Sequence, residues 1–504
     1  MKYILNAAKM KAVDQFTIDE VGIPAMVLME QAALSVAAVM RNSISRSDRI
    51  LAVCGVGNNG GDGVAIARIL KEYGYHVSIM MIGDETKMTD ETKLQLQIAK
   101  KLGVDIINTG RIVEYNVIID AIFGIGLSKP ITGEIERVVK EINQAHNRVF
   151  SVDIPSGIHA DNGNVMNVAV IADTTVTFGL NKQGVVLYPG CMYAGEIIVA
   201  DIGFPGKAVE YAKPDTFTYE EMDLKRLPIR KSYSNKGTYG KVLVIAGSKN
   251  MSGACYLSAK AAYRTGAGLV KVLTVEENRT IIQTILPEAI LSTYDSEAVE
   301  QSGNDILQAI QWASVVVIGP GIGISPSSSY LLNMVLQHAN VPVIIDADAI
   351  TLLSQDESYS TKDGKCTIPK NSIITPHIKE MASFIHQSVQ DVVDHLIKTA
   401  VDSLILDDSI LVLKDARTIV TNGLQVYVNL SGNNGMATGG SGDVLTGIIA
   451  ALIAQGLDKF QSASLGVYIH GLAGDYAVSK GNSYSLIASD IIEALPMVLD
   501  TKEI

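Results

Sequence analysis

Hydrophobic and polar positions along this chain change period twice. Met10, Val13, Ile18 and then apolar residues from Met26 to Met40 recur at helical spacing, broken by Gly22 and Pro24, so two leading helices are expected. From Arg49 the period shifts to short apolar runs at 49–57, 76–83, 117–126, 148–157, 173–179 and 196–203, with amphipathic stretches such as 64–74 between them. Apolar runs ending in glycine turns and alternating with helical segments predict βαβ units around a mostly parallel sheet. The alternation lapses over 204–236, where Pro205, Pro214, Pro228 and a dense run of charges mark a connection. It resumes with strands expected at 241–248, 269–275, 314–323, 341–350, 372–377, 409–416 and 426–429. The 504 residues thus divide into two α/β domains near residue 220. In such sheets ligands bind beyond the carboxyl ends of the strands, where the glycine-rich and acidic motifs of this chain fall.

Composition narrows the function. The chain is 47% hydrophobic and 19% charged with 44 glycines, as suits a globular α/β enzyme. A net charge of −12 argues against nucleic-acid and anionic-membrane partners. It leaves phosphate ligands open, because converging backbone N–H groups outweigh a diffuse field at contact distance. Cys54, Cys191, Cys255 and Cys366 form no CxxC pair, so neither zinc nor a disulfide framework is signalled, and a reducing cytoplasmic location is expected. No apolar run is long enough for a membrane span, and Lys9, Lys11 and Asp14 come too early for a signal peptide. An apolar face on the N-terminal helix predicts a homo-oligomer.

The first domain carries acids and amides at its strand ends. The run 55–63, GVGNNGGDG, satisfies GxGxxG after a strand, so a dinucleotide-binding dehydrogenase is one reading. Asn58, Asn59 and Asp62 crowd polar side chains where a pyrophosphate needs bare backbone, and fit a sugar, a phosphate edge or a cation instead. Asp120 and Asp153 end two further strands, with Ser156 three residues after Asp153. Neighbouring strand ends lie about 5 Å apart, so Asn59, Asp120 and Ser156 can converge on a hard cation. The competing reading is that each acid is satisfied by loop N–H groups.

The second domain centres on residues 431–456, where a glycine loop runs into an apolar helix. A helix N-terminus behind such a loop is an anion site. Asp443 stands at that junction, placed either as a cap or as a base that deprotonates a hydroxyl attacking a phosphoryl group. Lys236 is a phosphate contact or a solvated linker lysine. In DADAI, Asp346 and Asp348 cap the next helix or serve a metal-water shell, and the cap is the expectation. His377, after Pro376 at a strand end, is expected to bind ligand, and Lys414 is aimed at the same edge.

These motifs in combination resemble a known family. GNNGGDG, DAIFGIGL, VDIPSG and ADTTVTFG, with the leading helices, cover nearly all of residues 1–215 and resemble the epimerase half of the bifunctional NAD(P)H-hydrate repair enzymes. KGTYG, GPGIG, DADAI, TPH..EM and GNNGMATGGSGD resemble their ribokinase-like dehydratase half over 225–504. The resemblance implies a Rossmann-like epimerase domain at 1–215 and a ribokinase-like, ADP-dependent dehydratase domain at 225–504. The substrates would be NADHX and NADPHX. In the first domain it implies potassium near Asn59, Asp120 and Ser156. The hydrate would lie along Asn58, Asn59, Gly60, Gly61 and Asp62, along Gly124, Ile125, Gly126, Leu127, Ser128, Lys129 and Pro130, and at Asp153, the nominated acid/base. In the second it implies hydrate contacts at Ala254, Gly323, His377 and Asp443. The nucleotide, ADP or ATP with Mg²⁺, would lie along Lys414, Asp415, Ala416, Arg417 and Thr418. It would continue along Asn433, Asn434, Gly435, Met436, Ala437, Thr438, Gly439, Gly440, Ser441 and Gly442. Asn235, Lys379 and Ser441 depart from the family pattern of His, Gly and Thr. The rival reading is a vitamin-type small-molecule kinase with an accessory Rossmann-like domain.

Overall fold

A computed structural model gives the architecture and describes residues 1–107, 111–359 and 365–500, so the last four positions of the expected second domain lie outside it. Two compact units result, Tyr3–Asp215 and Thr216–Ile504, the latter also taking Met1–Lys2. Both are mixed α/β structures on largely parallel sheets, as the alternation predicts. Among the described residues no helix is long and apolar enough to cross a membrane.

In the N-terminal unit the strands run in the order Asp105–Ile107, His76–Met81, Arg49–Cys54, Val117–Ala121, Arg148–Val152, Thr174–Phe178, Glu196–Ala200, all parallel. Order reverses between Arg49–Cys54 and Val117–Ala121, the place where doubly wound sheets hold ligands. The run 50–54 is apolar at every position because both faces are covered. Ile50, Ala52 and Cys54 pack with helices Ala25–Arg41 and Asn58–Glu72, while Leu51 and Val53 pack with helix Gly133–Gln144. The leading helices form at Ala7–Asp19 and Ala25–Arg41, parted at Gly22 and Pro24. Ile4 and Leu5 pair in parallel with Asn181 and Lys182, a two-residue strand with no periodic signal of its own.

The C-terminal unit orders its strands Ile290–Tyr294, Leu269–Val275, Lys241–Ile245, Val315–Ile318, Val343–Ile345, Ser372–Ile374, Ile410–Leu413, Ile419–Thr421, Val426–Val428, Thr216–Thr218. Among the described residues only the pairs around Ile419–Thr421 are antiparallel in this sheet. Thr216–Thr218 falls in the stretch read as a connection, ahead of residue 225. Three residues beside Pro214 are too few to register as alternation. The helix Ser441–Ala454 is apolar on all sides because it is buried on all sides beyond its first turn.

Candidate active sites

In the N-terminal unit a cavity of about 160 Å³ opens beside the carboxyl ends of the central strands, walled by Met10, Leu28, Met29, Phe178 and Phe204. Asp14, Asn58, Asp62, Asp153 and Lys182 reach the same cavity. Asp153 holds φ at +66°, in the left-handed region, directly after strand Arg148–Val152. Its Oδ1 accepts from Lys182 Nζ at 2.5 Å, Thr177 Oγ1 at 3.1 Å and the Phe178 N–H at 3.3 Å. Lys182 is 1% exposed and also donates to Thr177 Oγ1 and the Phe178 carbonyl. Three donors therefore crowd one oxygen of Asp153. Burial raises Asp62 well above the usual carboxylate range, with the charges of Asp153 and Asp14 adding and Lys182 opposing. Asp14 is raised by burial and by Asp153.

Of the residues expected here, Asn58, Asp62, Ile125 and Asp153 meet at the cavity. Asp62 faces an apolar wall and a second carboxylate in that cavity. Gly60 and Gly61 serve packing. A Cβ on Gly60 would stand 1.8 Å from the Gly55 carbonyl, and one on Gly61 would stand 2.7 Å from both Met29 Cε and Thr92 Oγ1. Gly126, Ser128, Lys129 and Pro130 are exposed along the turn that follows Gly124, and Leu127 is half-buried.

Asp120 and Ser156 come together away from that cavity. Asp120 Oδ2 accepts from Ser151 Oγ at 2.7 Å and the Ser156 N–H at 2.8 Å, so two protein donors engage this oxygen. Burial raises it, and these hydrogen bonds pull the other way. Ser156 Oγ accepts from the Phe123 N–H at 2.9 Å. Asn59 Oδ1 lies against Gly124, where a Cβ would be 3.1 Å away, and Asn59 Nδ2 is buried without a hydrogen-bond partner.

The C-terminal unit builds its site where the glycine loop meets helix Ser441–Ala454. Gly440 holds φ at +88°, and a Cβ there would stand 2.4 Å from Leu257 Cδ1, so only glycine fits the turn that starts the helix. Asp475, on helix Lys459–Lys480, secures the loop with both oxygens, accepting from the Gly432 N–H at 2.8 Å and from Asn433 Nδ2 at 2.9 Å. Asp346, 1% exposed, pairs with Lys414 Nζ at 2.7 Å and accepts from Thr375 Oγ1 at 2.6 Å. A Cβ on Gly442 would stand 3.3 Å from Lys414 Nζ, so the ion pair lies against the first turn of the helix. Burial works against the Lys414 ammonium, yet Asp346 and Glu380 outweigh it and the group is raised. Burial first, then the like charge of Asp346, push Asp443 up to about 7, with Lys414 opposing. Ser441 Oγ lies 3.3 Å from Nε2 of His470, which burial holds down at about 4 and therefore neutral.

One expectation is corrected. Neither carboxylate of DADAI caps a helix: Ala347 occupies the cap, Asp346 takes the lysine, and Asp348 Oδ2 accepts from the Gly323 N–H at 2.8 Å. His377, expected to bind ligand, is half-exposed and serves as an N-cap. Its Nδ1 accepts from the Lys379 and Glu380 N–H groups, and its Nε2 lies 3.1 Å from Glu380 Oε1. Ala254 is buried against Gly321, Lys236 is exposed, and Asp415, Ala416, Asn434, Ala437 and Gly439 line the open surface of their loops. Arg417, Thr438 and Met436 are half-buried, Thr418 is buried and bonded to Asp415, and Gly435 packs on Ser483. Asn235 caps the turn Lys236–Tyr239. Lys182, Asp14, Asp475 and His470 went unassigned in the sequence. Gly471, Gly474 and Asp475 recur at helical spacing on an apolar helix, a signal that marks the face meeting the loop.

Residues 242–497 match the family model described as NAD(P)H-hydrate dehydratase, and residues 25–184 match the one described as YjeF-related protein N-terminus. A bifunctional NAD(P)H-hydrate repair enzyme Nnr of Thermofilum pendens is 34% identical over 98% of this chain and 96% of its own. A ribokinase-like superfamily protein of Enterococcus faecalis is 30% identical, covering 56% of this chain and 95% of that one with a TM-score of 0.49. An ADP/ATP-dependent NAD(P)H-hydrate dehydratase of Bacillus subtilis, co-crystallised with ATP/Mg²⁺, is 28% identical, covering 56% of this chain and 96% of that one with a TM-score of 0.48. With the identity running through both halves, this chain belongs to the family of bifunctional NAD(P)H-hydrate repair enzymes.

Proposed function

We propose that the chain restores hydrated nicotinamide cofactors in two steps, one in each unit. Residues 1–215 interconvert the R and S forms of NADHX and NADPHX, and residues 225–504 dehydrate the S form using ADP. The observation that carries the second step is Asp443, a carboxyl pushed up to about 7 at the head of a helix, beside the Lys414–Asp346 pair. A hydroxide is a poor leaving group and a phosphate a good one. Asp443 takes the proton of the C6 hydroxyl as that oxygen attacks the terminal phosphoryl group. The N–H groups of Gly440, Ser441 and Gly442 and the ammonium of Lys414 face the charge that builds there. Phosphate then leaves and the reduced ring is restored.

A buried amide without a partner supports a cation beside Asn59. Turning that amide over would present oxygen in place of Nδ2, since O and N exchange places at no steric cost. Asn59 with Asp120 and the Ser156 hydroxyl would hold potassium, which supplies fixed positive charge near an anionic cofactor. Magnesium would come with the nucleotide and screen its phosphates. The ion would be held mainly by phosphate and water oxygens.

Mixed hydrate epimers, supplied with ADP or ATP and Mg²⁺, test the reading. Full recovery of reduced-nicotinamide absorbance with release of free phosphate is expected. Recovery of only half the mixture would remove the epimerase step. A stable phosphorylated product would favour the kinase.

A further inference from the structure

The cavity of the N-terminal unit holds more acid–base machinery than one nominated aspartate. The three protein donors described for the Asp153 carboxylate all reach Oδ1, so Oδ2 is the oxygen left to meet a ligand in the cavity. The lysine ammonium 2.5 Å away and the two further donors hold Oδ1 and so fix the orientation of this carboxylate. Epimerisation at C6 needs a donor first, because the hydroxyl must leave as water. Asp62 reaches the same cavity, and among the described residues it makes no salt bridge.

We propose that Asp62 is the proton donor and Asp153 the acceptor of the epimerisation, with Lys182 as the positioning residue that holds the acceptor in place through their ion pair; this rests on the epimerase reading above. The Asp62 proton passes to the C6 oxygen. The C6–O bond breaks with its electron pair departing on water, and the ring nitrogen lone pair forms the C6=N bond. A water then attacks C6 on the opposite face, the π electrons return to nitrogen, and Asp153 takes the proton this water releases. One proton has moved from Asp62 to Asp153, and solvent in the cavity returns it. No oxidant or reductant enters. The apolar wall of Met29, Phe178 and Phe204 suits a planar ring, and burial holds the Asp62 carboxyl well above the usual carboxylate range, which favours its protonated form. The titratable groups facing Asp62 are Asp14, Asp153, Lys182, Glu91 and the buried Cys54 thiol, and they come from five separate segments.

The test uses the full chain without nucleotide, so that dehydration does not consume product. Separated R hydrate is supplied, and formation of the S form is followed chromatographically over a protein-free blank. Asp62→Asn keeps shape and neutrality but has no proton of comparable acidity to give. Its rate is expected to fall at least about 100-fold, with KM within about threefold and an unchanged melting temperature. Lys182→Gln is expected to lower kcat at least about tenfold with KM within about threefold, and Lys182→Arg to recover most of it, a split that a merely structural lysine would not give. Asp62→Asn within about fivefold of wild type, or Lys182→Gln with unchanged kcat, overturns the proposal while the wild-type protein still epimerises. A wild-type protein that leaves the R to S ratio at the blank rate overturns the epimerase reading and this proposal together.

Discussion

Replacing Asp443 by asparagine is expected to cripple dehydration and to strengthen the fold at the same time. A buried carboxyl moved from 3.8 to about 7 carries an ionisation cost. At about 1.36 kcal/mol per pH unit, that cost is on the order of 4 kcal/mol. Its sign follows from the raised value. Below pH 4 the group is protonated in folded and unfolded chains alike and costs nothing. Between about 4 and 7 the unfolded chain ionises first, so stability falls as pH rises, and above about 7 the whole penalty stands. Asp443→Asn removes the penalty, so the variant should gain most at pH 8 and almost nothing at pH 4. Hydrogen exchange across helix Ser441–Ala454, at both pH values, measures that gap. The same substitution removes the proton acceptor, and nucleotide-dependent recovery of reduced cofactor should drop about 10²–10⁴-fold. In the wild type kcat/KM should climb with pH through about 7. A flat pH profile, a variant retaining a tenth of the activity, or a stability gain equal at both pH values would refute the reasoning.

Three further perturbations separate the supports of the two sites. Lys414→Met leaves Asp346 buried without its cation and should cost about 3–5 kcal/mol in chemical denaturation of the C-terminal unit, more than Lys414→Arg. Asp475→Asn loses the charge that secures the Gly432 N–H and the Asn433 amide. It should raise the KM for nucleotide several-fold with little change in KM for the hydrate, as steady-state kinetics against each substrate would record. Gly61→Ala drives a methyl into Met29 and Thr92, so thermal melting of the N-terminal unit should fall by about 1–3 kcal/mol while dehydration of pure S hydrate continues.

The parts of the fold carried by local pattern were legible. The central strands, the parted leading helices and the glycine-headed helix at 441 each show themselves within a dozen residues. Asp443, Asp153 and Asp120 could be picked because they end such strands or begin such a helix. Lys182 could not, since it sits in a two-residue strand that exists only because Ile4 and Leu5 pair with it from far along the chain. Asp14 resembled any polar position on an amphipathic helix until the fold turned it toward Asp153. The capping role of His377 went unread although its signal was present: Glu380 follows it by three residues, the spacing of a reciprocal cap.

The two sites answer unlike chemical demands with one arrangement. Each buries a lysine–carboxylate pair, Lys182–Asp153 at 2.5 Å and Lys414–Asp346 at 2.7 Å, and each sets another aspartate close by in the charge field of that pair. Removing water penalises every charge, so the pair survives only by mutual neutralisation, and the extra carboxyl is left to resist ionising. How far it resists decides what it can do. Asp62 is raised well above the usual carboxylate range, toward its protonated form, so it can serve as a donor to a leaving hydroxyl. Asp443 is raised to about 7, ionises in the range where the cell works, and can accept a proton from an attacking one. Exchanging these tunings should exchange the competence: a variant that lowers Asp62 by adding a nearby cation, such as Met29→Lys, should slow epimerisation at neutral pH and shift its optimum downward. An optimum that stays in place would show that donation does not depend on how firmly Asp62 holds its proton.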